Sequence, residues 1–318
     1  MKRGILSLGE ALIDFIPLDE SNSTYQKSPG GAPANVAVGA ARLGAKSTFV
    51  GKVGDDVLGH FLKDTFTQYG VHTHHLSLSK DHRTGVVFVT NGKDGERSFD
   101  FYINPSADRF LDREEINQED LSNHKILHFG SISLISNPSK EATEYAVRLA
   151  RENGLLISYD PNLRLSLWDS EETAKTTIRS MLNLVDVLKV SEEELQFLTG
   201  EDDIVEGMNR LMLHHSIPML LVTLGAKGSY VCMKNGYEHV PGIPVQAIDT
   251  TGAGDAFMSG ILYSLDQHNE APHELTLEEA VKIAKFASVS GALAASTKGA
   301  MTALPTLAEV NQHLEDMN

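Results

Sequence analysis

The chain has 318 residues, of which 41% are hydrophobic and 22% are charged, proportions typical of a globular protein that can bury a core. Acidic residues outnumber basic ones by 43 to 27, and this net charge of -16 argues against general attraction to nucleic acid or anionic membranes. The single cysteine, Cys232, cannot form an internal disulfide, so we expect a cytoplasmic protein. Glu10 and Asp14 interrupt the apolar start, which indicates a strand and not a signal peptide. No apolar run reaches the roughly 18 residues of a membrane span.

Strand and helix patterns alternate along most of the chain, which predicts an α/β fold. We expect one domain, residues 1–318, with a mostly parallel central sheet and helices on both of its faces. The segment Ser229–Cys232 is predicted to pair antiparallel nearby. The predicted strands are Ile5–Leu8, Ser47–Val53, Lys125–Phe129, Leu155–Tyr159, Val187–Val190 and Met219–Thr223. The predicted helices are Pro33–Leu43, Val57–Tyr69, Pro138–Glu152 (with Asn137 as its cap), Ala174–Leu184, Glu192–Leu198, Ala253–Leu265 and Leu277–Ala295.

Two segments depart from this rhythm and predict a small separate sheet. Leu12–Ile16 is an early strand, while Thr84–Thr90 and Arg97–Ile103 flank a turn at 91–95 and indicate a hairpin. We expect residues 11–30 and 84–105 to form a β-sheet lid over a cleft. Because an exposed sheet edge can pair with its own copy, a homodimer through the lid is also expected.

Two glycines stand at a predicted loop-to-helix junction in the run Asp-Thr-Thr-Gly-Ala-Gly-Asp, residues 249–255. Main-chain N–H groups at a helix start lack partners and attract anions, so this junction suits a phosphate. Asp255, in the first turn, either stabilises the helix dipole or serves as a general base. The residues alone leave both interpretations open.

A second glycine pair, Gly30 and Gly31, precedes a helix that begins with Pro33. Asn35 lies in the first turn of that helix, where it either faces a cleft or is an ordinary polar residue. Asp14, within the apolar strand Leu12–Ile16, is either an edge residue or a ligand-binding carboxylate.

Taken together and in this order, the two glycine motifs resemble the signatures of ribokinase-like (PfkB) carbohydrate kinases, and the resemblance extends from Gly9 to Pro305. It implies a ribokinase-like fold and an ATP-dependent sugar kinase that uses Mg²⁺. It also implies that Asp255 is the catalytic base and that the sugar lies beneath the lid. The resemblance assigns the anion hole to Gly252, Ala253 and Gly254, the sugar contacts to Asp14, Gly30, Gly31 and Asn35, and a K⁺ site to Asp249 and Thr251.

Further residues bear on the sugar. The run Phe101–Asp108 resembles the end of the fructokinase lid, and we expect Phe101 and Ile103 to contact substrate. Relatives usually have Arg at position 103, where this chain has Ile. Because Ile cannot bind a carboxylate, this replacement argues more strongly against a sugar-acid substrate than against a neutral sugar. Asp160–Arg164 resembles a motif of fructokinases and 2-keto-3-deoxygluconate kinases, in which Arg164 neutralises phosphoryl charge or touches substrate. Fructose is therefore the expected sugar.

The alternatives are a 2-keto-3-deoxygluconate kinase, a ribose or nucleoside kinase, and, in a different class, a non-catalytic sugar-binding regulator. Retention of Asp255 argues against the regulator, because a pure binder needs no base.

The nucleotide side is predicted from a third group of residues. Ser191 and Glu194 are spaced as a capping box, and they also resemble a family motif in which the Glu holds Mg²⁺ through water. The histidines at 72, 74, 75, 214 and 215 lack the spacing of a zinc site and are expected at the surface. The resemblance implies nucleotide contacts from Lys189, Ser191, Glu194, Thr223, Gly225, Gly228, Ala287 and Gly291.

Overall fold

The structure is a computed structural model that describes residues 2–91 and 97–317. Residues 92–95 of the predicted hairpin turn lie outside the described residues. Within the described part of the chain, no helix combines the length and the apolar character needed to cross a membrane.

The strands are β1 (Ile5–Leu8), β2 (Leu12–Pro17), β3 (Tyr25–Gly30), β4 (Ser47–Gly54), β5 (His72–Ser79), β6 (Gly85–Asn91), β7 (Arg97–Phe101), β8 (Ile126–Phe129), β9 (Leu156–Tyr159), β10 (Val187–Ser191), β11 (Met219–Thr223), β12 (Gly228–Met233) and β13 (Gly236–Pro241). The helices are α1 (Ala32–Arg42), α2 (Val57–Gln68), α3 (Gln118–Asn123), α4 (Ser139–Glu152), α5 (Glu171–Met181), α6 (Glu192–Thr199), α7 (Ile204–His214), α8 (Ala253–Gln267), α9 (Leu277–Ala295) and α10 (Leu307–Asp316).

Among the described residues, nine strands form the large sheet in the order β13-β12-β11-β10-β9-β8-β1-β4-β5. The strands from β11 through to β5 in this order run parallel, while β12 and β13 continue antiparallel at one edge. Strands such as β1 and β8 are buried at every residue, as expected when helices cover both faces of a parallel sheet. The predicted α/β class, the mostly parallel sheet and the antiparallel strand after β11 are confirmed.

The small sheet has four strands in the order β3-β2-β6-β7 among the described residues. Strand β2 pairs antiparallel with β3 and parallel with β6, and β6 pairs antiparallel with β7. The register sets Asp14 beside Ser28 and Val87, and Leu12 beside Gly30. The small separate sheet predicted from the early strand and the hairpin is therefore present.

Helices α1 and α8 pack closely because Gly39 has no side chain. A Cβ at Gly39 would lie 2.2 Å from Ser259 Oγ, and Ser259 Oγ donates hydrogen bonds to the carbonyls of Asp255 and Val36. This close approach sets the first turns of the two helices side by side.

Some elements differ from the sequence-based prediction. The cap predicted at Asn137 is wrong: Pro138 holds the N-cap position of α4, and the Asn137 amide instead donates to Glu141. Helix α5 begins at Glu171 because Ser170 caps it by accepting from Thr173 N–H. The elements β3, β5, α3, α7, β13 and α10 were not predicted.

Candidate active site

A cavity of about 740 Å³ is lined by residues of both the small and the large sheet. The small sheet contributes apolar side chains of β2, β6 and β7, while the large sheet contributes the carboxyl end of β10 and the loop after β9. Carboxyl ends of parallel strands are the usual ligand site of such sheets. The lining includes these residues that the sequence predicted for the site: Asp14, Gly31, Asn35, Phe101, Arg164, Lys189, Ser191, Glu194, Thr251, Gly252, Gly254 and Asp255.

Asp255 and Asn35 contact each other in the lining of this cavity. Asn35 Nδ2 donates a hydrogen bond of 2.7 Å to Asp255 Oδ2, although the two residues lie 220 positions apart in the sequence. Each lies one helical turn before the contact between Gly39 and Ser259, which holds the two helices together. Both side chains are buried, with exposed fractions of 5% for Asn35 and 6% for Asp255. The two glycine motifs are thus parts of one site.

The Asp255 carboxyl is poised to exchange a proton near neutral pH. Burial, together with the negative charge of Asp160, raises its pKa to about 7, although Asn35, Lys189 and Arg164 act to lower it. A general base works best when its pKa lies close to the working pH. A carboxylate that only stabilised the dipole of α8 would have no need of this burial.

The start of α8 offers a main-chain cradle to an anion. Gly252 precedes the helix in the left-handed region at φ 78°, a conformation that glycine adopts without strain. A Cβ at Gly254 would lie 3.2 Å from Lys189 Nζ. Because glycine has no side chain, the space between the helix start and Lys189 stays open. The Ala253 N–H is engaged with the Thr250 carbonyl at 3.2 Å and closes the turn. This geometry suits a phosphoryl group close to the backbone.

A buried ion pair lies directly behind this cradle. Lys189 Nζ donates to Asp160 Oδ2 at 2.7 Å, and both side chains are almost completely buried. Burial alone lowers the pKa of Lys189, but the charges of Asp160, Glu194 and Asp255 outweigh it and raise the pKa above its usual value. These acids therefore favour the charged form of Lys189, which lines the cavity.

Glu194 joins two loops at the carboxyl ends of β9 and β10. Its Oε2 accepts from Ser191 N–H at 2.8 Å, which completes the predicted capping box of α6. Its Oε1 accepts from Leu163 N–H at 2.7 Å and holds the loop that carries Arg164. Burial and the charge of Asp160 raise the pKa of Glu194, while Lys189 opposes them.

Asp14 supplies a second acidic group on the small-sheet side of the cavity. Burial raises its pKa to about 7, although Arg164 acts to lower it. A Cβ at Gly30 would lie 2.2 Å from Asp14 Oδ2, so a side chain there would displace this carboxyl. Gly31 has φ 104°, and a Cβ there would lie 2.5 Å from the Glu10 carbonyl. The first glycine pair therefore makes room for the Asp14 carboxyl and for the main-chain carbonyl of Glu10.

Several predicted residues lie away from the cavity wall. Ile103 is half-buried beyond the end of β7, while Gly225 and Gly228 belong to the turn after β11. Ala287 is buried in the α8–α9 interface, where a Cβ at Gly260 would approach its Cα to 2.7 Å. Their predicted contacts with substrate or nucleotide stay predictions, as do those of Thr223 and Gly291.

Asp249 and Thr251 form the loop before α8. Asp249 is buried, and its carboxylate accepts from the N–H groups of Thr251 at 3.1 Å and Gly299 at 3.2 Å. The loop is thus closed onto the segment that follows α9. The predicted K⁺ site at these two residues stays a prediction.

Sequence reasoning missed part of the site. Glu10 lines the cavity and is only 3% exposed, and Asn162, with φ 47°, lines it within the loop after β9. The signal for Glu10 was an acidic residue in an otherwise apolar start. Glu10 accepts a hydrogen bond from Ala32 N–H at the start of α1, 22 residues away, so no local sequence spacing identifies Glu10 as a site residue. The apolar wall residues Leu12, Val87, Phe99, Ile132 and Phe197 were also missed as site residues.

The fold and the site are those of a phosphoryl-transfer enzyme, in which a buried carboxyl lies beside the main-chain amides at the start of a helix. The family model described as pfkB family carbohydrate kinase matches residues 2–307. The chain is 44% identical to Fructokinase-2 of Solanum lycopersicum over 311 residues, which cover 96% of this chain and 94% of that protein.

Solved structures agree. A double mutant of the fructokinase of Vibrio cholerae O395, in a form with fructose, ADP and potassium bound, is 41% identical with a TM-score of 0.89, covering 98% of this chain and 99% of that one. The fructokinase of Xylella fastidiosa with bound ATP is 35% identical with a TM-score of 0.93, covering 100% and 99%. The chain belongs to the pfkB family of carbohydrate kinases and is an ATP-dependent sugar kinase.

Proposed function

We propose that this protein transfers the γ-phosphoryl group of Mg-ATP to a hydroxyl of fructose. The observation that carries the proposal is the 2.7 Å contact between Asn35 and Asp255 on the wall of a cavity that Asp14 also lines. This arrangement combines a base, an amide that binds hydroxyls and a second carboxylate within reach of one small polar molecule.

In the proposed reaction Asp255 accepts the proton of the attacking hydroxyl as its oxygen bonds to the γ-phosphorus and the bond to the ADP oxygen breaks. The amides of Gly252 and Gly254 and the buried Lys189 cation stabilise charge on the phosphoryl oxygens, while the Ala253 N–H is occupied by the Thr250 carbonyl. Arg164, which is exposed and lines the same cavity from the loop after β9, adds positive charge there. Closure of the small sheet over the cavity would exclude water and limit ATP hydrolysis.

The residues present fit Mg²⁺ held mainly by the nucleotide. Asp160 Oδ1 is buried without a hydrogen-bond partner in the described part of the chain, and Glu194 lies beside it. One or two carboxylates with phosphates and water are the usual environment of this ion. When bound, Mg²⁺ neutralises charge on the β- and γ-phosphates. Asp160 and Glu194 would hold it directly or through water.

A neutral ketose suits the sugar side of the cavity. Asp14 and Asn35 bind hydroxyls, while Val87, Phe99 and Phe101 offer an apolar wall to the carbon skeleton. Position 103 holds Ile and does not line the cavity. Among the described lining residues on the sugar side, Arg164 is therefore the only cation that could bind the carboxylate of a sugar acid. The fructose in the Vibrio cholerae relative supports the same choice.

Three finer features belong to the proposal. K⁺ is proposed near Asp249 and Thr251, because the related structure contains potassium. A homodimer is proposed through the small sheet, since β3 and β7 are its two edge strands. A cytoplasmic location is proposed because the single cysteine is buried and free.

The test is ADP release measured with fructose, ribose, 2-keto-3-deoxygluconate and adenosine at equal concentrations. We expect kcat/KM to be highest for fructose and ADP release without sugar to be far slower. Asp255→Asn serves as the matched inactive control. A higher kcat/KM for another sugar would overturn the fructose assignment, and no sugar-dependent ADP release from any of them would overturn the activity.

A further inference from the structure

Glu10 is a buried acid that the reaction proposed above does not use. It lies in the connection between β1 of the large sheet and β2 of the small sheet, and only 3% of it is exposed. Its Oε1 accepts from Ala32 N–H at 3.2 Å, at the start of α1. The residue before the helix, Gly31, has no side chain to cap it. Glu10 therefore provides the cap of α1 from 22 residues away.

A short chain of hydrogen bonds leads from this cap to the base. The carbonyl of Gly31 accepts from Asn35 N–H at 2.8 Å within the first turn of α1. The Asn35 side chain then donates to Asp255 Oδ2 at 2.7 Å. The main-chain carbonyl of Glu10 also lies against Gly31, where a Cβ would approach it to 2.5 Å. The position of the Asn35 amide thus depends on the segment at Glu10.

The surroundings of Glu10 favour its neutral form. Its Oε2 is buried without a hydrogen-bond partner among the described residues. Two other buried carboxyls face it, Asp108 from the turn after β7 and Asp255 from α8. Burial and the charges of these two acids raise the pKa of Glu10 to about 8, although the hydrogen bonds from its own and the Ala32 N–H groups lower it. A charge here would repel both neighbours.

We propose that Glu10 is a positioning residue, which acts through the first turn of α1 to hold the Asn35 amide against Asp255. The inference rests on the proposed kinase function for its catalytic consequence, but its structural part stands independently. Ionisation of Glu10 adds a negative charge near Asp108 and Asp255. In this proposal the repulsion outweighs the stronger hydrogen bond that a carboxylate accepts from Ala32 N–H, so that the cap and the Asn35 contact loosen together. Activity then declines above about pH 8.

The test compares Glu10→Ala, which removes the acceptor, with Glu10→Gln, which keeps it and cannot ionise. We expect Glu10→Ala to lower kcat roughly 10- to 100-fold with little change in KM for ATP. We expect Glu10→Gln to retain most of the wild-type turnover and to lose the decline above pH 8. The matched control is Glu20→Gln, an exposed residue of the small sheet's turn, which should follow the wild type.

A double-mutant cycle separates positioning from general support of the fold. In an Asn35→Ala background, Glu10→Ala should lower kcat by less than threefold further, because its effect passes through Asn35. An equal loss in both backgrounds would overturn the proposal. Should Glu10→Ala fail to fold, retention of the alkaline decline in Glu10→Gln would overturn it instead.

Hydrogen–deuterium exchange tests the Glu10 cap of α1 even if the protein phosphorylates none of these sugars. The peptide containing residues 31–36 should exchange at least tenfold faster in Glu10→Gly or Glu10→Ala than in the wild type. Unchanged exchange there contradicts the cap, whatever the substrate proves to be. Accelerated exchange supports the cap even if the sugar assignment fails.

Discussion

Gly39 of α1 and Ser259 of α8 lie in direct contact, so that a Cβ on Gly39 would come within 2.2 Å of Ser259 Oγ. Asn35 and Asp255 lie one turn earlier on the same two helices and meet at 2.7 Å. We therefore expect the packing of Gly39 against Ser259 to determine whether the Asn35 amide reaches the Asp255 carboxyl.

Gly39→Ala should separate these helices. We expect a loss of about 1–3 kcal/mol in the free energy of unfolding from overpacking, and a fall in kcat because Asn35 moves away from Asp255. Urea unfolding and steady-state ADP release measure the two effects. Adding Ser259→Gly removes the clashing atoms and should restore part of both. No rescue by the second change would show that the helix contact does not set the site.

Lys189→Met should destabilise the protein strongly. The variant leaves Asp160 as a buried carboxylate without its partner, and breaking a buried pair typically costs about 3–5 kcal/mol. The double variant Lys189→Met, Asp160→Asn removes both charges and should be more stable than the single one. Urea unfolding of the wild type, Lys189→Met, Asp160→Asn and the double variant decides this, and additive losses would contradict a direct ion pair.

Asn35→Ala should shift the acid limb of the pH–rate profile. The Asn35 hydrogen bond lowers the pKa of Asp255, whose value of about 7 reflects burial opposed by this contact. Without Asn35 the pKa of Asp255 rises, so a higher pH is needed to deprotonate the base. We expect kcat/KM of the wild type to fall as the pH decreases through about 7, and the variant to lose activity already at higher pH. If the acid limb does not shift in Asn35→Ala, the limb reports the titration of a group that Asn35 does not contact, such as Asp14.

Glu10→Gln should be more stable than the wild type at alkaline pH. Because folding raises the pKa of Glu10 from 4.5 to about 8, the folded state holds its proton more tightly than the unfolded state. This contribution is fully present below pH 4.5 and is lost as the pH rises to about 8. The stability difference between variant and wild type should therefore grow by up to about 1.4 kcal/mol per pH unit across this window. Urea unfolding at several pH values measures it, with Glu20→Gln as control; a constant difference would show that Glu10 is ionised when folded.

Much of the fold was predictable because parallel strands with two covered faces are continuously apolar. Strands such as Ile5–Leu8 and Met219–Thr223 begin and end where the sequence predicts. Strand β3, by contrast, has no apolar alternation, and its extended form depends on pairing with β2. Strand β5 contains three histidines and lies at the edge of the large sheet, where polar residues are tolerated.

The site was predictable where a motif combines local geometry with chemistry. Asp255 and Asn35 each lie in a first helical turn after glycines, and both positions follow from the sequence. Glu10 and the ion pair between Lys189 and Asp160 depend on partners from distant segments, and no local spacing reveals them. Tertiary contacts of this kind explain most of what sequence reasoning missed.

The central claim, that Asp255 is the catalytic base of a sugar kinase, is tested most directly by sugar-dependent ADP release from Asp255→Asn. The account predicts a loss of turnover of roughly 10²–10⁴-fold with little change in KM for ATP, while Asp64→Asn, at an exposed aspartate, matches the wild type. Turnover by Asp255→Asn close to that of the wild type would contradict the account.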